Sequence, residues 1–209
     1  LNWLAGFFYS TDTIQGTYDG NLKAIFNTTT LSGWDQTAHS AAAFGQVEYD
    51  LTPEVSLVGG VRYTEEKKKN TGFTEDLATS CPASFLTRLP CGAGPLRIAS
   101  VNATIDNQDW SWKGGINWKP ADNLLVYASV SSGMKSGGFF SGFATTSSAL
   151  QPYRPESLLA YEAGTKGRTR EFDWSASVFH YDYEDVQTFI PVSYTHLRAH
   201  ETKANLVCR

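Results

Sequence analysis

The sequence lacks the long apolar runs that mark helical membrane proteins. No segment approaches the roughly 18 consecutive apolar residues of a membrane helix, and no apolar stripe with helical spacing runs for a useful length. A membrane β-strand, in contrast, needs only about ten residues, of which alternate ones are apolar. The missing runs therefore exclude a helical membrane protein and leave open a β-protein in water or in a membrane.

Methionine and cysteine are scarce. The chain has one methionine. Residues 1–3 contain no initiator methionine and do not open a signal peptide. We therefore expect the beginning of the gene product to be missing. Two of the three cysteines, Cys81 and Cys91, bracket the segment CPASFLTRLPC. We expect a disulfide there, which would contribute about 2 to 3 kcal/mol and would indicate an oxidising compartment. Two free thiols are the alternative.

Basic charge and catalytic groupings are also sparse. The net charge is −4, and the one basic run, at 67–69, has no interleaved aromatic residues, which argues against nucleic acid as a partner. The carboxylates at 65–66 have no nucleophile beside them, and neither His39 nor His180 suggests a catalytic triad. The glycine-rich stretch at 133–138 lacks the order of a phosphate-binding loop. We therefore expect no enzyme and no cofactor.

What the chain does have is alternation with period two, which is typical of β-strands. Short turns and long connections follow one another in strict alternation, and the long ones, at 11–36, 65–107 and 135–156, exceed what compact soluble domains use. The second long connection contains a possible short strand at 98–105. The predicted strands are 1–10, 37–49, 55–64, 110–119, 124–132, 159–167 and 172–178.

The two faces of these strands differ in charge and in the placement of aromatic residues. Charges inside the second to seventh strands share one face: Glu48, Arg62, Lys113, Glu162, Lys166 and Asp173. On the other face aromatic residues lie toward the strand ends: Tyr49, Trp118, Phe172 and Trp174 near the short turns, and Tyr63, Trp110, Trp112 and Tyr161 away from them. Two aromatic belts around an apolar band are typical of a lipid-facing barrel surface. The pattern predicts an all-β fold, a partial antiparallel transmembrane β-barrel of about seven strands, with a soluble β-sandwich as the alternative.

Three regions of the amino-acid sequence carry a family resemblance. They are FGQVEYDLTPEVSLVGGVRYTEEKK at 44–68, WKPADNLLVYASVSSGMKSGGF at 118–139, and PYRPESLLAYEAGTKGR at 152–168 followed by FDWSASVFHYDYEDVQ at 172–187. In combination they resemble the barrel of TonB-dependent outer-membrane receptors. The resemblance implies a barrel at residues 1–191 in the bacterial outer membrane, normally occluded by an N-terminal plug that this sequence does not contain.

The resemblance also implies a function and partners. Such receptors take up ferric siderophores or other scarce nutrients with energy from the TonB complex, which would act through the missing plug. A passive porin is the alternative within the same architecture, and a soluble β-sandwich that binds carbohydrate is a further one. We also expect a definite orientation in the membrane, with the turn at 119–123 on the periplasmic side. In the strand at 124–132, the residues expected to face lipid are Val126, Ala128 and Val130, and those expected to face the lumen are Tyr127, Ser129 and Ser131.

Substrate contacts in such a barrel should come from aromatic and polar residues of the long loops. The candidates lie in the third long loop: Phe139, Phe140, Phe143, Tyr153 and Arg154. The basic run at 67–69 lies just beyond the outer aromatic belt and could hold lipopolysaccharide phosphates, or it could be a solvated strand end.

The last stretch, VSYTHLRAHETKANLVCR at 192–209, breaks the strand pattern. His196, His200 and Cys208 have the residue types of metal ligands, but the stretch resembles translated sequencing-adapter text. We therefore treat 192–209 as a non-native tail and expect no metal site.

Overall fold

The structure, a computed structural model, describes residues 1–79 and 83–188. They form one seven-stranded sheet in which each strand pairs antiparallel with its neighbours in sequence. The elements are β1 Asn2–Asn21, α1 Lys23–Phe26, β2 Thr29–Asp50, β3 Val55–Asp76, β4 Leu96–Ala121, β5 Leu124–Lys135, a 3₁₀ helix at Ser147–Leu150, β6 Glu156–Arg168 and β7 Asp173–Glu184. The all-β antiparallel class and the seven strands are confirmed. A sandwich needs two packed sheets, and the described residues form one.

Strands β1 to β4 are much longer than the sequence pattern indicates. The expected long loops at 11–36 and 65–107 are wrong, because β1 pairs with β2 up to Asn21↔Thr29 and β3 pairs with β4 up to Asp76↔Leu96. Alternating apolar residues occur where one face of a strand contacts a hydrophobic core or lipid. These strand ends carry polar residues on both faces, so the alternation is absent there. The third long connection is confirmed, since β5 ends at Lys135 and β6 begins at Glu156. Within the described residues, no helix has the length and apolarity to cross a membrane.

Short turns with threonine side chains fix the register of two hairpins. In the β2–β3 turn, Thr52 Oγ1 accepts hydrogen bonds from the backbone N–H groups of Glu54 (3.3 Å) and Val55 (3.0 Å). In the β6–β7 turn, Thr169 Oγ1 accepts from the N–H groups of Glu171 (3.3 Å) and Phe172 (3.1 Å). A slip of one residue would move every side chain to the opposite face, so these turns preserve the separation of the two faces.

Cross-strand contacts confirm that charged and apolar residues occupy opposite faces. On one side, the polar face, Arg62 stacks over the rings of Phe8 (5.5 Å) and Phe44 (6.0 Å). On the other side, the apolar face, the rings of Tyr63 and Trp110 are 4.8 Å apart. Large apolar side chains stand exposed there, with Phe7 at 91 % and Val178 at 73 %. Exposure of so large an apolar surface to water is unfavourable, so this face requires an apolar surrounding.

Candidate ligand-binding site

The β5–β6 loop, residues 136–155, folds back over the polar face of the long β3–β4 hairpin. At its base Tyr153 N–H donates to Gly138 O (2.9 Å) and Gly138 N–H to Tyr153 O (3.4 Å). Beyond this bridge, Ala144 and Leu150 of the loop form a buried apolar cluster with β4 residues, against which Phe140 packs. The loop is therefore packed against β4 through a small apolar core.

Lys68 anchors the loop from β3. Its Nζ donates to Ser136 Oγ and to Gly137 O, both at 3.0 Å, and lies 3.2 Å from the carboxylate of Glu66. Asn107 Nδ2 donates to the same Ser136 Oγ at 2.8 Å. Strand alternation puts Lys68 on the polar face and Lys67 on the opposite face, so Lys68 holds the loop and is not available to lipopolysaccharide.

Gly137 is the residue that lets the loop lie this close to its own return strand. A Cβ at this position would lie 2.5 Å from Tyr153 O. Any larger residue would push the two backbones apart and open the base of the loop.

A cavity of about 730 Å³ opens between this loop and the end of β7. Four of the five sequence-predicted residues line it, namely Phe139, Phe140, Tyr153 and Arg154, together with Lys135, Asp185 and Gln187. Phe143 is not among the lining residues. Phe139 is 7 % exposed and forms part of the floor, whereas Tyr153 is 47 % exposed at the rim.

Gln187 organises one wall of the cavity and was missed by sequence reasoning. Its Nε2 donates to the carbonyl oxygens of Lys135 (3.4 Å), Ser136 (3.1 Å) and Arg154 (2.9 Å). Its backbone N–H donates to Glu156 Oε2 at 2.8 Å. This one side chain thus holds both ends of the loop to the segment that follows β7. Nothing in its sequence surroundings indicates that role, because the role depends on pairing across three strands.

The two cationic side chains at the cavity, Lys135 and Arg154, have different acidic neighbours. Lys135 Nζ lies 3.9 Å from Glu156 Oε2, so its charge is partly compensated. Arg154 is exposed at the rim and faces the same cavity as Asp185. Aromatic faces beside guanidinium and ammonium groups suit a ligand that combines ring surfaces with negative charge. Among the described residues, no group of three or more His, Cys, Asp or Glu is placed to hold a metal ion.

A second ordered loop, the part of the β3–β4 connection at 83–95, is held by Asp76 at the end of β3. The Asp76 carboxylate accepts from the hydroxyls of Thr28 (2.6 Å), Ser84 (2.5 Å) and Thr87 (2.5 Å) and from the N–H of Ala78 (2.9 Å). Burial by itself would raise the pKa of Asp76, but the hydrogen bonds to its charged form outweigh burial and lower the pKa below the usual Asp value.

Two groups of sequence-predicted residues involve segments outside the described residues. Cys91 is disulfide-bonded, but Cys81 lies in the undescribed gap, so their pairing stays a prediction. His196, His200 and Cys208 of the tail also lie outside the described residues.

Comparison with known proteins gives a family and a fold. A family model described as TonB dependent receptor-like, beta-barrel, matches residues 1–202. The ferric yersiniabactin uptake receptor FyuA from Yersinia pestis is similar in structure, with a TM-score of 0.67 and 19 % identity over 88 % of this chain and 26 % of the receptor. The ferric-catecholate import receptor Fiu from E. coli K12 has a TM-score of 0.57 and 14 % identity over 87 % of this chain and 30 % of the receptor. The chain thus spans less than a third of either receptor, and at these identities the likeness concerns the fold.

Proposed function

We propose a function from one premise: this chain belongs to the TonB dependent receptor-like β-barrel family, whose model matches residues 1–202. Members of this family are receptors of the bacterial outer membrane and not enzymes. The chain is therefore a segment of barrel wall in that membrane. Its apolar face is directed to lipid and its polar face to the lumen.

The proposed activity of the whole protein is uptake of a scarce nutrient such as a ferric siderophore, energised through the TonB complex. The observation that carries this proposal is the cavity of about 730 Å³ whose wall combines Phe139, Phe140, Tyr153 and Arg154. It is open to solvent beside the β5–β6 loop, where a ligand arriving from outside the cell would first meet the protein. A pocket of this size encloses a ligand of several rings. Uptake receptors for ferric ligands share the fold.

We infer the orientation from the connections. The tight turns between β2 and β3, β4 and β5, and β6 and β7 are assigned to the periplasm, and the extended hairpins to the outside. Lys67 and Lys69 then lie on the lipid side beyond Tyr63, where lipopolysaccharide phosphates would meet them. Lys67 already has a partner in Asp106, at 3.6 Å.

Arg154→Ala in the full-length protein tests the assigned cavity. Loss of one charge-assisted contact costs about 1.5 to 3 kcal/mol, or roughly 10- to 150-fold in affinity. We therefore expect uptake of a radiolabelled ferric siderophore to need that much more ligand for half its maximal rate. The matched control is Arg170→Ala, at an exposed arginine of the β6–β7 turn, which should leave uptake unchanged.

The same cells without TonB test the energy source. Uptake that stops without TonB supports the active receptor. Uptake that continues, in proportion to the external concentration, supports the passive porin. Equal behaviour of the Arg154→Ala and Arg170→Ala variants would contradict the assignment of the cavity.

A further inference from the structure

Two fully buried polar side chains lie side by side at the outer end of β3. Thr74 and Asp76 occupy consecutive positions on the polar face of the strand, and both are 0 % exposed. Neither lies at an open edge of the sheet, because β3 pairs with β2 on one side and with β4 on the other. Each of the two residues holds a different loop, and we call the pair the β3 anchor.

Asp76 holds the 83–95 loop. Its carboxylate accepts hydrogen bonds from the hydroxyls of Ser84 and Thr87, both at 2.5 Å. The other two donors to this carboxylate lie outside both loops, and none of the four belongs to the β5–β6 loop. An effect of Asp76 on the β5–β6 loop must therefore pass through another group.

Thr74 holds the β5–β6 loop, which forms one wall of the cavity. Its Oγ1 accepts a hydrogen bond from the backbone N–H of Ala144 at 3.3 Å, and Ala144 is 3 % exposed. Without this acceptor the N–H would be buried and unpaired, which is unfavourable because water cannot replace the lost bond. The position of the cavity wall thus depends on the hydroxyl of Thr74.

Strand β2 and the residue just before it connect the two members of the β3 anchor. The hydroxyl oxygens of Ser32 and Thr74 are 3.0 Å apart, and Thr28 Oγ1 donates to Asp76 at 2.6 Å. The side chains of Ser32 and Thr28 are also 0 % exposed. In a buried network of this kind each bond fixes the geometry of its neighbours, so the loss of one bond disturbs the others.

We propose that the β3 anchor couples the 83–95 loop to the ligand cavity, and that Asp76 is a positioning residue that acts on the cavity wall through Thr74. The inference rests on the proposed function only in treating the cavity as the ligand site. While Asp76 holds the 83–95 loop, the end of β3 is fixed against β2 and Thr74 is in place for Ala144. Release of the 83–95 loop lets this strand end shift, and the cavity wall loosens with it. A partner that binds the 83–95 loop from outside therefore changes the affinity of a cavity that it does not touch.

Hydrogen exchange in the full-length protein, without ligand, tests the coupling. We expect Thr74→Val, which deletes the acceptor of the Ala144 N–H, to make exchange in the β5–β6 loop about 5- to 150-fold faster. Thr74→Ser, which keeps the hydroxyl, should restore the wild-type rate. Asp76→Asn should speed exchange in the β5–β6 loop as well as in the 83–95 loop. In the double variant the acceleration in the β5–β6 loop should be at least about twofold smaller than the product of the two single effects.

Two further variants complete the experiment. Thr71→Val is the matched control, because Thr71 is exposed on the opposite face of β3, and it should leave exchange in both loops unchanged. Thr87→Val removes one donor from the 83–95 loop and keeps the carboxylate of Asp76 in place. It should speed exchange in the β5–β6 loop in the same direction as Asp76→Asn, which separates the coupling from any folding defect of that variant.

Three results would overturn the coupling. One is exchange in the β5–β6 loop that stays at the wild-type rate in both Asp76→Asn and Thr87→Val. Another is a double variant whose acceleration equals the product of the two single ones, since independent sites behave in that way. The third is faster exchange along the whole of β2 and β3, which would mean that the strands unfold together. The Arg154→Ala uptake test stands apart from these, because it can remove the ligand site while the exchange result holds.

Discussion

At the scale of single residues, Asp76 is the most densely bonded side chain in the described chain. It links three segments, since its four donors come from the residue just before β2, from the residues just after β3 and from the loop at 83–95. Its folded-state pKa is lowered, so its contribution to stability is complete above the unfolded-state pKa. That contribution is lost as the pH falls through the still lower folded-state value.

Asp76→Asn should loosen the 83–95 loop without unfolding the sheet. The amide replaces one acceptor oxygen with an NH₂ group that faces two donors, at a cost of about 1 to 3 kcal/mol. We expect backbone hydrogen exchange in this loop, where Phe85 N–H donates to Phe26 O at 2.8 Å, to become about 5- to 150-fold faster. Exchange measured by mass spectrometry on the full-length protein checks this.

The wild-type loop gives an independent readout of the same group. After correction for intrinsic rates, its protection should persist on acidification through the ordinary Asp range, near pH 4, and decline only below it. The control is Asp106→Asn, at a solvent-exposed ion pair with Lys67. Faster exchange in that variant too would point to a general effect of charge.

The sequence indicates the chemical types of the residues that line the cavity but not the residues that hold it together. Phe139, Phe140, Tyr153 and Arg154 could be named because aromatic and cationic residues in a long loop suggest ligand contacts. Gln187 and Lys68 could not, because their partners lie 31 to 69 residues away in sequence. A contact of that kind depends on strand register, which the local sequence does not reveal.

At the scale of elements, the parts of the strands with one apolar and one polar face were predictable, and the parts with polar residues on both faces were not. One face of β5 is apolar and the other polar, so its sequence alternates, and the register puts Tyr127 on the polar face and Ala128 on the apolar face. The outer halves of β1 to β4 have polar surroundings on both sides. Their strand character depends on pairing with a neighbour, which Thr and Gly permit without any apolar period.

Arginine at Ala128 and at Ser129 provides a matched test of the two faces. Ala128 lies on the apolar face, where arginine near the bilayer midplane costs about 2 to 4 kcal/mol. Ser129 pairs with Glu162 on the polar face, where arginine has an acidic neighbour. We expect Ala128→Arg to reduce the amount of heat-modifiable, folded receptor in the outer membrane severalfold, and Ser129→Arg to leave it near the wild-type level. Similar losses in both would contradict the assignment of the faces.

At the scale of the whole molecule, the described sheet has two open edges. β1 pairs only with β2, and β7 only with β6, within residues 1–79 and 83–188. Open edges present rows of unpaired backbone groups that invite pairing with other chains. The likeness in fold to two receptors, of each of which this chain spans less than a third, fits a wall that further strands close.

Residues 1–191 produced alone should therefore aggregate, whereas the full-length receptor should fold. Refolding both from urea into detergent micelles, followed by size-exclusion chromatography, checks this. We expect the segment in the void volume and the receptor as a heat-modifiable monomer. A monomeric, β-rich segment that resists heat would contradict the need for further strands.

The nearest-neighbour pairing of the strands also sets the entropic cost of assembly. In the β1–β2 hairpin the pair Asn21↔Thr29 encloses a short link, and each later pair, out to Asn2↔Glu48, adds only one residue per strand to a loop already closed. Loop-closure entropy is thus lost once per hairpin, and the remaining pairs can form as a zipper from the tip. The long hairpins formed by β1 to β4 are by the same geometry well placed to nucleate folding.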